Sequence, residues 1–468
     1  MKKFNLRAAV PGYIFTLQFL IISFKKKDSI VMLIRKVIYL FIFFAGLLFL
    51  SCNPSEPENK PTGVEFSAED ASCTETWITL KAVGIAGAQV YRGDSLIFNF
   101  SGQSIDTTLY DDGLLPNQTY NYNLTMQQLN NKTITRSLPV QTMDTTSHNF
   151  TWQMFEFGGE AGSSTLYDVA IIDENNIWAV GEIYMRDSTG QPDPQAYNAV
   201  HWDGQKWEVK RIKYYGDCSA VVYPPFRAIW AFNSNDIVLT NGGSIGWFDG
   251  NSIRLDCGVK PLLNGSINKI WGTSSSDLYA VGNNGSIAHY DGSNWTKIES
   301  GTTLHVYDIT GDYNKATNDY EILLVAAKKW ESAEKKILKL KNNAVEEISS
   351  LGVPNGSLHG IWFRNNKQYL VVGNGIYTKT NLNENEWNAG LTALTRYYTY
   401  AIRGSALNNI FICGSFGEML HFSGNSWHSF KNIPRFFDAD FYNIDVKNDI
   451  VAAVGQRFNS GCIVIGKK

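Results

Sequence analysis

Chemistry-bearing motifs are scarce in these 468 residues. There is no nucleophile–base–orienter arrangement, no glycine-rich phosphate loop and no Cys/His cluster, so the usual local signatures of catalytic, nucleotide and zinc sites are missing. No excess of basic residues is present either. Residues 1–51 hold eight Lys/Arg and one Asp, so the remainder carries 33 basic against 43 acidic residues. A phosphate backbone needs a basic face, which excludes nucleic acid as a partner. Cysteine is limited to six. A long membrane span is also lacking. The apolar run at 37–50 has fourteen residues, the length of a signal-peptide core rather than of a span.

What the chain does have is repetition. Ile177-Trp178-Ala179-Val180-Gly181 runs on to His201-Trp202-Asp203-Gly204 and Trp207. Leu278-Tyr279-Ala280-Val281-Gly282 runs on to His289-Tyr290-Asp291-Gly292 and Trp295. Ile410-Phe411-Ile412-Cys413-Gly414 runs on to His421-Phe422-Ser423-Gly424 and Trp427. Similarity at a fixed period marks a repeat architecture. The β-branched and aromatic runs read as strands. Asn284-Gly285 and the Asp-Gly pairs read as two-residue turns of type I′, which need positive φ at both central residues. Each unit is therefore a meander of about four strands that must stack on its neighbours.

Weaker copies follow from the spacing. The marker glycine recurs at 181, 242, 282, 373, 414 and 455, with a further copy at 322–327. An apolar residue opens each copy: Val169, Ile229, Ile270, Ile309, Ile361, Ile402 and Ile444. Seven blades are expected, with 183–198 inserted into the first. The last copy lacks its Trp-led outer strand. Residues 150–157 carry such a strand, around Trp152, and are expected to close the ring beside Gly455–Ile465 and hide its edges.

These repeats resemble bacterial β-propeller proteins whose blades read W-A-V-G … H-W-D-G … W. The resemblance covers about two thirds of the chain and implies an all-β propeller over 148–468, with little chemistry. The Gly-His partner of a WD40 repeat is absent, and the adjacent Asp and Gly do not form the Asp boxes of sialidases. Residues 64–147 read as a separate all-β unit. Its Gly113-Leu114-Leu115-Pro116-Asn117-Gln118-Thr119-Tyr120 segment resembles the fibronectin type III pattern, which implies a Tyr hydroxyl bonded back to the chain at a corner and a core Trp, here Trp77.

Phe49-Leu50-Ser51-Cys52 resembles a bacterial lipobox. It implies cleavage of a 1–51 leader, lipidation of Cys52, and 52–63 as a Pro- and Glu-rich tether. Met32 stands where such a leader would begin, so the true start is placed there as an alternative. An unlipidated signal, an ordinary anchor and a two-span hairpin that includes the apolar segment 13–24 remain open. The location implied is the outer membrane, facing the periplasm or the outside.

Two columns vary from blade to blade beside the constant apolar one. The first reads Tyr167, Arg227, Asn268, Tyr307, His359, Tyr400 and Tyr442. The second reads Asp168, Ala228, Lys269, Asp308, Gly360, Ala401 and Asn443. If the first strand of each blade is innermost, both columns converge on one channel mouth, where aromatic faces and polar groups suit a sugar or a peptide. Packing between blades is the plainer reading. His201, His289 and His421 share one column and sit on separate blades, too far apart for zinc; they are expected to pack. The 187–193 loop and the cluster Asp438, Asp440, Asp445 and Asp449 are expected to be solvated carboxylates. Cys413 reads as a core residue, and Cys218 and Cys257 as a possible disulfide.

The expected function is non-catalytic binding of a glycan or an envelope protein by a monomer, without cofactor or metal. Two alternatives stand beside it: a glycan hydrolase or lyase using Asp168 and Asp308, and a purely structural surface protein.

Overall fold

A computed structural model describes residues 4–10, 13–19, 63–216, 220–315, 317–328, 334–354 and 356–468. Residues 1–64 and 65–468 form two compact units. In the first, Phe4–Val10 pairs antiparallel with Tyr13–Phe19. The leader core, Cys52 and the tether through residue 62 lie outside the described residues, as does Cys218.

The second unit begins with a two-sheet sandwich. One sheet holds Glu65–Ala71, Thr76–Val83 and Ser104–Asp111. The other is ordered Ser95–Ser101, Ile85–Arg92, Thr119–Gln128, Thr133–Gln141. Leu115 donates its N–H to Tyr120 Oη at 2.8 Å, which ties the corner. Trp77 departs from expectation. Side chains alternate along a strand, and Ile78, Leu80 and Ala82 take the inward positions of Thr76–Val83. Trp77 therefore faces outward, and it is buried in one apolar cluster with residues of the repeat region, Trp362 and Leu407 among them. Lys367 Nζ lies 5.6 Å from its ring centroid and 3.1 Å from Glu69. The sandwich is packed onto the repeats rather than spaced away from them.

The repeats build antiparallel sheets around a β-propeller. Their first strands are Thr165–Asp173, Ala228–Asn233, Ile267–Ser274, His305–Asn314, Leu358–Arg364, Thr399–Ala406 and Ala439–Lys447. Each touches the next, and the last touches the first. Most sheets are four-stranded meanders in chain order. In the fifth, Thr378 bridges to Asn388 where a fourth strand would run. The final sheet is ordered Ala439–Lys447, Ile450–Arg457, Ser460–Lys467, Thr151–Phe157. Thr151 sits opposite Lys467 and Phe157 opposite Gly461. Trp152 packs on Phe430 and Phe436, with ring centroids 4.8 and 5.5 Å away.

Turn chemistry differs from the expected type I′ at the Asp-Gly pairs. Positive φ falls on Gly204, Gly250 and Gly292 and not on the Asp before each. Those Asp side chains instead accept the N–H groups two and three residues on, as Asp203 does from Gln205 and Lys206. At Asn284-Gly285 both residues do have positive φ, 54° and 69°.

The histidine column packs, and each copy does so in the same way. His201 stacks on Trp178, His289 on Tyr279 and His421 on Phe411, at 4.1, 4.3 and 4.4 Å. Nε2 of each contacts an Asn or Asp at the start of the preceding strand: Asn176, Asp277 and Asn409, at 3.0, 2.7 and 3.1 Å. Burial drives His421 down to about 3 from 6.5, with His148 contributing. The unfolded chain binds this proton near pH 6.5 and the folded one does not, so stability present above pH 6.5 is lost as pH falls toward 3. The loss from this group is about 1.4 kcal/mol per pH unit in that window. Urea unfolding at pH 7, 6 and 5 is expected to show this slope, and His421→Gln is expected to flatten it. Equal slopes in both proteins would disprove the assignment.

Candidate functional site

The channel mouth is set by a backbone irregularity that the repeat encodes. In six of the seven first strands the pairing register shifts by one residue. The residue skipped is Tyr167, Asn268, Tyr307, His359, Tyr400 or Tyr442, which is the first variable column. A bulge leaves one residue outside the ladder and re-aims its side chain. The marker glycine follows from the same geometry. The bulged strand presses its backbone onto the second strand, and a Cβ at Gly181, Gly282, Gly373, Gly414 or Gly455 would overlap a carbonyl oxygen there. The second sheet has no such shift at Arg227, and Gly242 faces no comparable overlap.

The side chains of this column, bulged or not, meet around the mouth, with Tyr400 buried beneath its neighbours at 5% exposure. Arg227 lies over the Tyr167 ring at 4.4 Å. Tyr307 stacks on His359 at 4.5 Å, and His359 meets Tyr400 edge-on at 5.4 Å. Tyr400 meets Tyr442 edge-on at 5.3 Å. His359 Nδ1 is 2.7 Å from the Tyr400 carbonyl. Asn268 donates to Asn283 Oδ1 and to the Val306 carbonyl, at 2.9 and 3.0 Å. Burial, and then Asp440, raise Tyr442 to about 12, so its phenol keeps its proton at neutral pH.

The second column takes a different place. Asp168 is 1% exposed. Its carboxylate accepts the N–H groups of Val169 and Ile229, at 2.9 and 3.0 Å, and so ties the first sheet to the second. Lys269 of the third sheet reaches it at 2.7 Å. Asp308 repeats the arrangement: it accepts from Ile309 and Ile361, at 3.0 and 3.1 Å. Arg403 of the sixth sheet holds it in a two-pronged pair at 2.7 and 2.8 Å. Between the partners the intervening sheets offer Ala228 and Gly360, two of the three small members of the column. These buried pairs lie beneath the mouth rather than on its surface.

Arg403 and Asp445 were not among the expected site residues. Both lie one position beyond the apolar column, outside the two columns that vary at the mouth. Asp445 corrects the solvated reading of its cluster. It accepts the Ile171 N–H at 2.7 Å, and burial raises it above the ordinary carboxylate range. A cavity of about 260 Å³ lies at the far end of the channel, against Lys269, Arg403 and Asp445.

The remaining candidates are structural. Asp187 accepts from Thr189 and Gln191 within its own loop, and Asp193 pairs with Arg211. Asp438 pairs with Arg457 at 3.0 Å and Asp449 with Lys468 at 3.2 Å. Cys257 is disulfide-bonded, and Cys73, Cys413 and Cys462 are free and buried. Among the described residues no group of three His, Cys, Asp or Glu is placed to hold a metal.

Strand direction assigns the loops to the two faces. First strands start at the mouth, so the turns between second and third strands lie on that face, as do the links from one sheet to the next. The inserted loop between Asn176–Ile183 and Tyr197–Trp202 is therefore on the mouth face, and so is Cys257. The sandwich lies on the opposite face. It docks there through Cys73 and the segment after the sandwich, where Thr146 N–H donates to Ser423 O at 3.0 Å and Asn408 Nδ2 to Asp144 O at 2.8 Å.

No family model and no curated protein matches the sequence. Among solved structures, one described as YCF48 bound to D1 peptide is similar at TM-score 0.50 and 18% identity, covering 69% of this chain and 99% of that one. YCF48 from Cyanidioschyzon merolae aligns at TM-score 0.47 and 12% identity, over 67% and 98% of the two chains. The WD40 β-propeller domain of Doa1 aligns at 0.44 and 12%, over 68% and 98%. The first of these likenesses identifies the fold: residues from about 150 onward form a β-propeller.

Proposed function

We propose that this chain is a non-catalytic binding protein of the cell envelope. Cys52 is its lipid anchor, 52–63 its tether, 64–147 a fibronectin type III-like domain, and 148–468 a seven-bladed propeller that takes a glycan or protein partner at its mouth. The carrying observation is the arc of first-column side chains, the bulged Tyr307, His359, Tyr400, Tyr442 and Tyr167 together with the unbulged Arg227. It presents aromatic faces and polar groups together, as ligand sites do. The two-sheet strand order and the Tyr120 corner support the fibronectin-like reading. The seven first strands in cyclic contact support the blade count. The disulfide at Cys257 fits an oxidising compartment. The solved propeller described as bound to a peptide is a precedent for a protein ligand on this fold.

The enzyme reading is weakened by the pairing of Asp168 with Lys269 and of Asp308 with Arg403. Glycoside hydrolysis needs two carboxylates about 5–10 Å apart with access to the sugar, and these two are buried and committed to cations. The test is a glycan array, together with cross-linking to isolated envelope proteins. The full chain is compared with the double variant Arg227→Ala/Tyr307→Ala. At least one ligand is expected to bind the parent and to lose tenfold or more in the variant. Turnover of a glycan that vanishes in a folded Asp168→Asn protein would replace binding with catalysis.

A further inference from the structure

Three phenylalanines on the mouth face are placed against the interest of the fold. Phe416, Phe437 and Phe458 are 51, 59 and 68% exposed. Phe416 lies in the turn between the second and third strands of the sixth sheet, and Phe458 in the same turn of the seventh. Phe437 lies in the link joining those sheets. Together with Tyr442 and Asp440 they line a groove of about 280 Å³. Grouped exposed apolar rings on a soluble protein mark a contact surface.

Backbone conformation strengthens the point. Phe416 has φ 54° and Phe458 φ 51°. That left-handed region suits Gly and Asn and strains a bulky aromatic residue. The third sheet shows what the turn prefers, since Asn284 occupies the position equivalent to Phe416 at the same φ of 54°. A phenylalanine there neither relaxes the turn nor fills the core. Its ring is held 6.0 Å from that of Phe437, beside the groove.

Charge selects the occupant. Asp440 Oδ1 accepts the Phe416 N–H at 2.9 Å. Burial raises Tyr442 and Tyr400, and the Asp440 carboxylate adds to both in the same direction. Among the described residues no cation pairs with Asp440. The nearby cations are already engaged: Arg457 with Asp438 and Glu156, and Arg435 with Glu156. Asp440 lies beside the rings of Phe416, Phe437 and Tyr442, and ring faces and the anion together favour a cationic side chain; the Phe458 ring already carries Arg457, 4.6 Å from its centroid. Phenyl rings offer a sugar no hydrogen bonds. Asp438, Asp440 and Glu156 outnumber Arg435 and Arg457, and this net negative charge disfavours an anionic lipid surface.

We propose that this groove docks an extended segment of a partner protein in which a Lys or Arg stands next to an apolar side chain. The basic group would meet Asp440 and the apolar one would lie among Phe416, Phe437 and Phe458. The proposal rests on the mouth face being the binding face, and it names a partner for it.

The test is selection of a displayed random dodecapeptide library on the full chain. Selected peptides are expected to be enriched in Lys or Arg adjacent to an apolar residue. Their binding is expected to fall at least tenfold in Phe416→Asn, in Phe458→Asn and in Asp440→Asn. The Asn at 416 is already used at the equivalent turn, so that variant is expected to melt no lower than the parent, which separates lost contact from lost fold. No enrichment, enrichment of acidic peptides, or unchanged binding in these variants would overturn the proposal. So would Phe416-dependent binding to phosphatidylglycerol vesicles, which would make the patch a membrane contact. If a mouth ligand is lost in Arg227→Ala/Tyr307→Ala but kept in Phe416→Asn, the mouth reading survives and this one fails.

Discussion

Replacing 151–157 with a Gly-Ser segment of equal length is expected to abolish soluble, cooperatively folding protein. The strand supplies a full ladder to Ser460–Lys467. It also supplies Trp152, which packs on Phe430 and Phe436, and Phe155 and Phe157, which pack on Trp207 at 5.9 and 5.7 Å. Truncating a fully buried aromatic side chain costs about 3–5 kcal/mol; here Phe157 is buried and Trp152 and Phe155 are half-buried, so each of those two costs less, and the lost ladder adds to the sum. Losing this set, on the order of 10 kcal/mol, rivals the whole stability of a typical domain, about 5–15 kcal/mol. The loss also bares the edge of Ser460–Lys467 to pairing with other chains. Because 151–157 runs antiparallel to that strand, appending its sequence after Lys468 through an Asn-Gly turn is expected to restore folding. Solubility and urea transitions measure both outcomes. A replaced protein as stable as its parent would mean that the ring does not depend on this strand.

Asp308→Ala is expected to destabilise the propeller by about 3–5 kcal/mol. Removing one partner of a buried ion pair leaves an uncompensated charge, here the Arg403 guanidinium. It also orphans the N–H groups of Ile309 and Ile361. Arg403→Met should cost less, because the carboxylate keeps both backbone donors. Asp308→Asn should fall between them, since its amide oxygen still accepts. Urea unfolding at pH 7 gives the order. All three variants falling within about 1 kcal/mol of the parent would show that the pair does not hold the sheets together.

Much of this was legible in the sequence because the repeat carries it. The glycine at 181, 282, 373, 414 and 455 marks the point where two backbones press together, and the variable column beside the apolar residue is the bulge that causes the pressure. A pattern repeated by geometry shows as a pattern in letters. The pairing of Asn176, Asp277 and Asn409 with the histidine column was readable in principle, since an Asn or Asp stands two residues before each stacking aromatic side chain. Other features were not legible. Trp77 looks the same whether it fills a sandwich or docks it, and only strand phase decides. Asp168 and Tyr167 are neighbours in the chain, yet one is buried under the mouth and the other lines it. The link between Asp308 and Arg403 spans two sheets and has no local spacing to betray it.

The borrowed strand also sets an order of events during synthesis. Glu156 and Arg457, which meet in the last sheet, stand 301 residues apart in the chain. Whatever forms earlier on the ribosome, the circle stays open until Ser460–Lys467 has emerged. For that interval the strand 151–157 has no partner, and one end of the growing stack is bare. A late contact between distant segments is slow to find, since the chain entropy must be spent before the pairing rewards it. A protein whose final fastening comes this late stays exposed to aggregation until synthesis is complete.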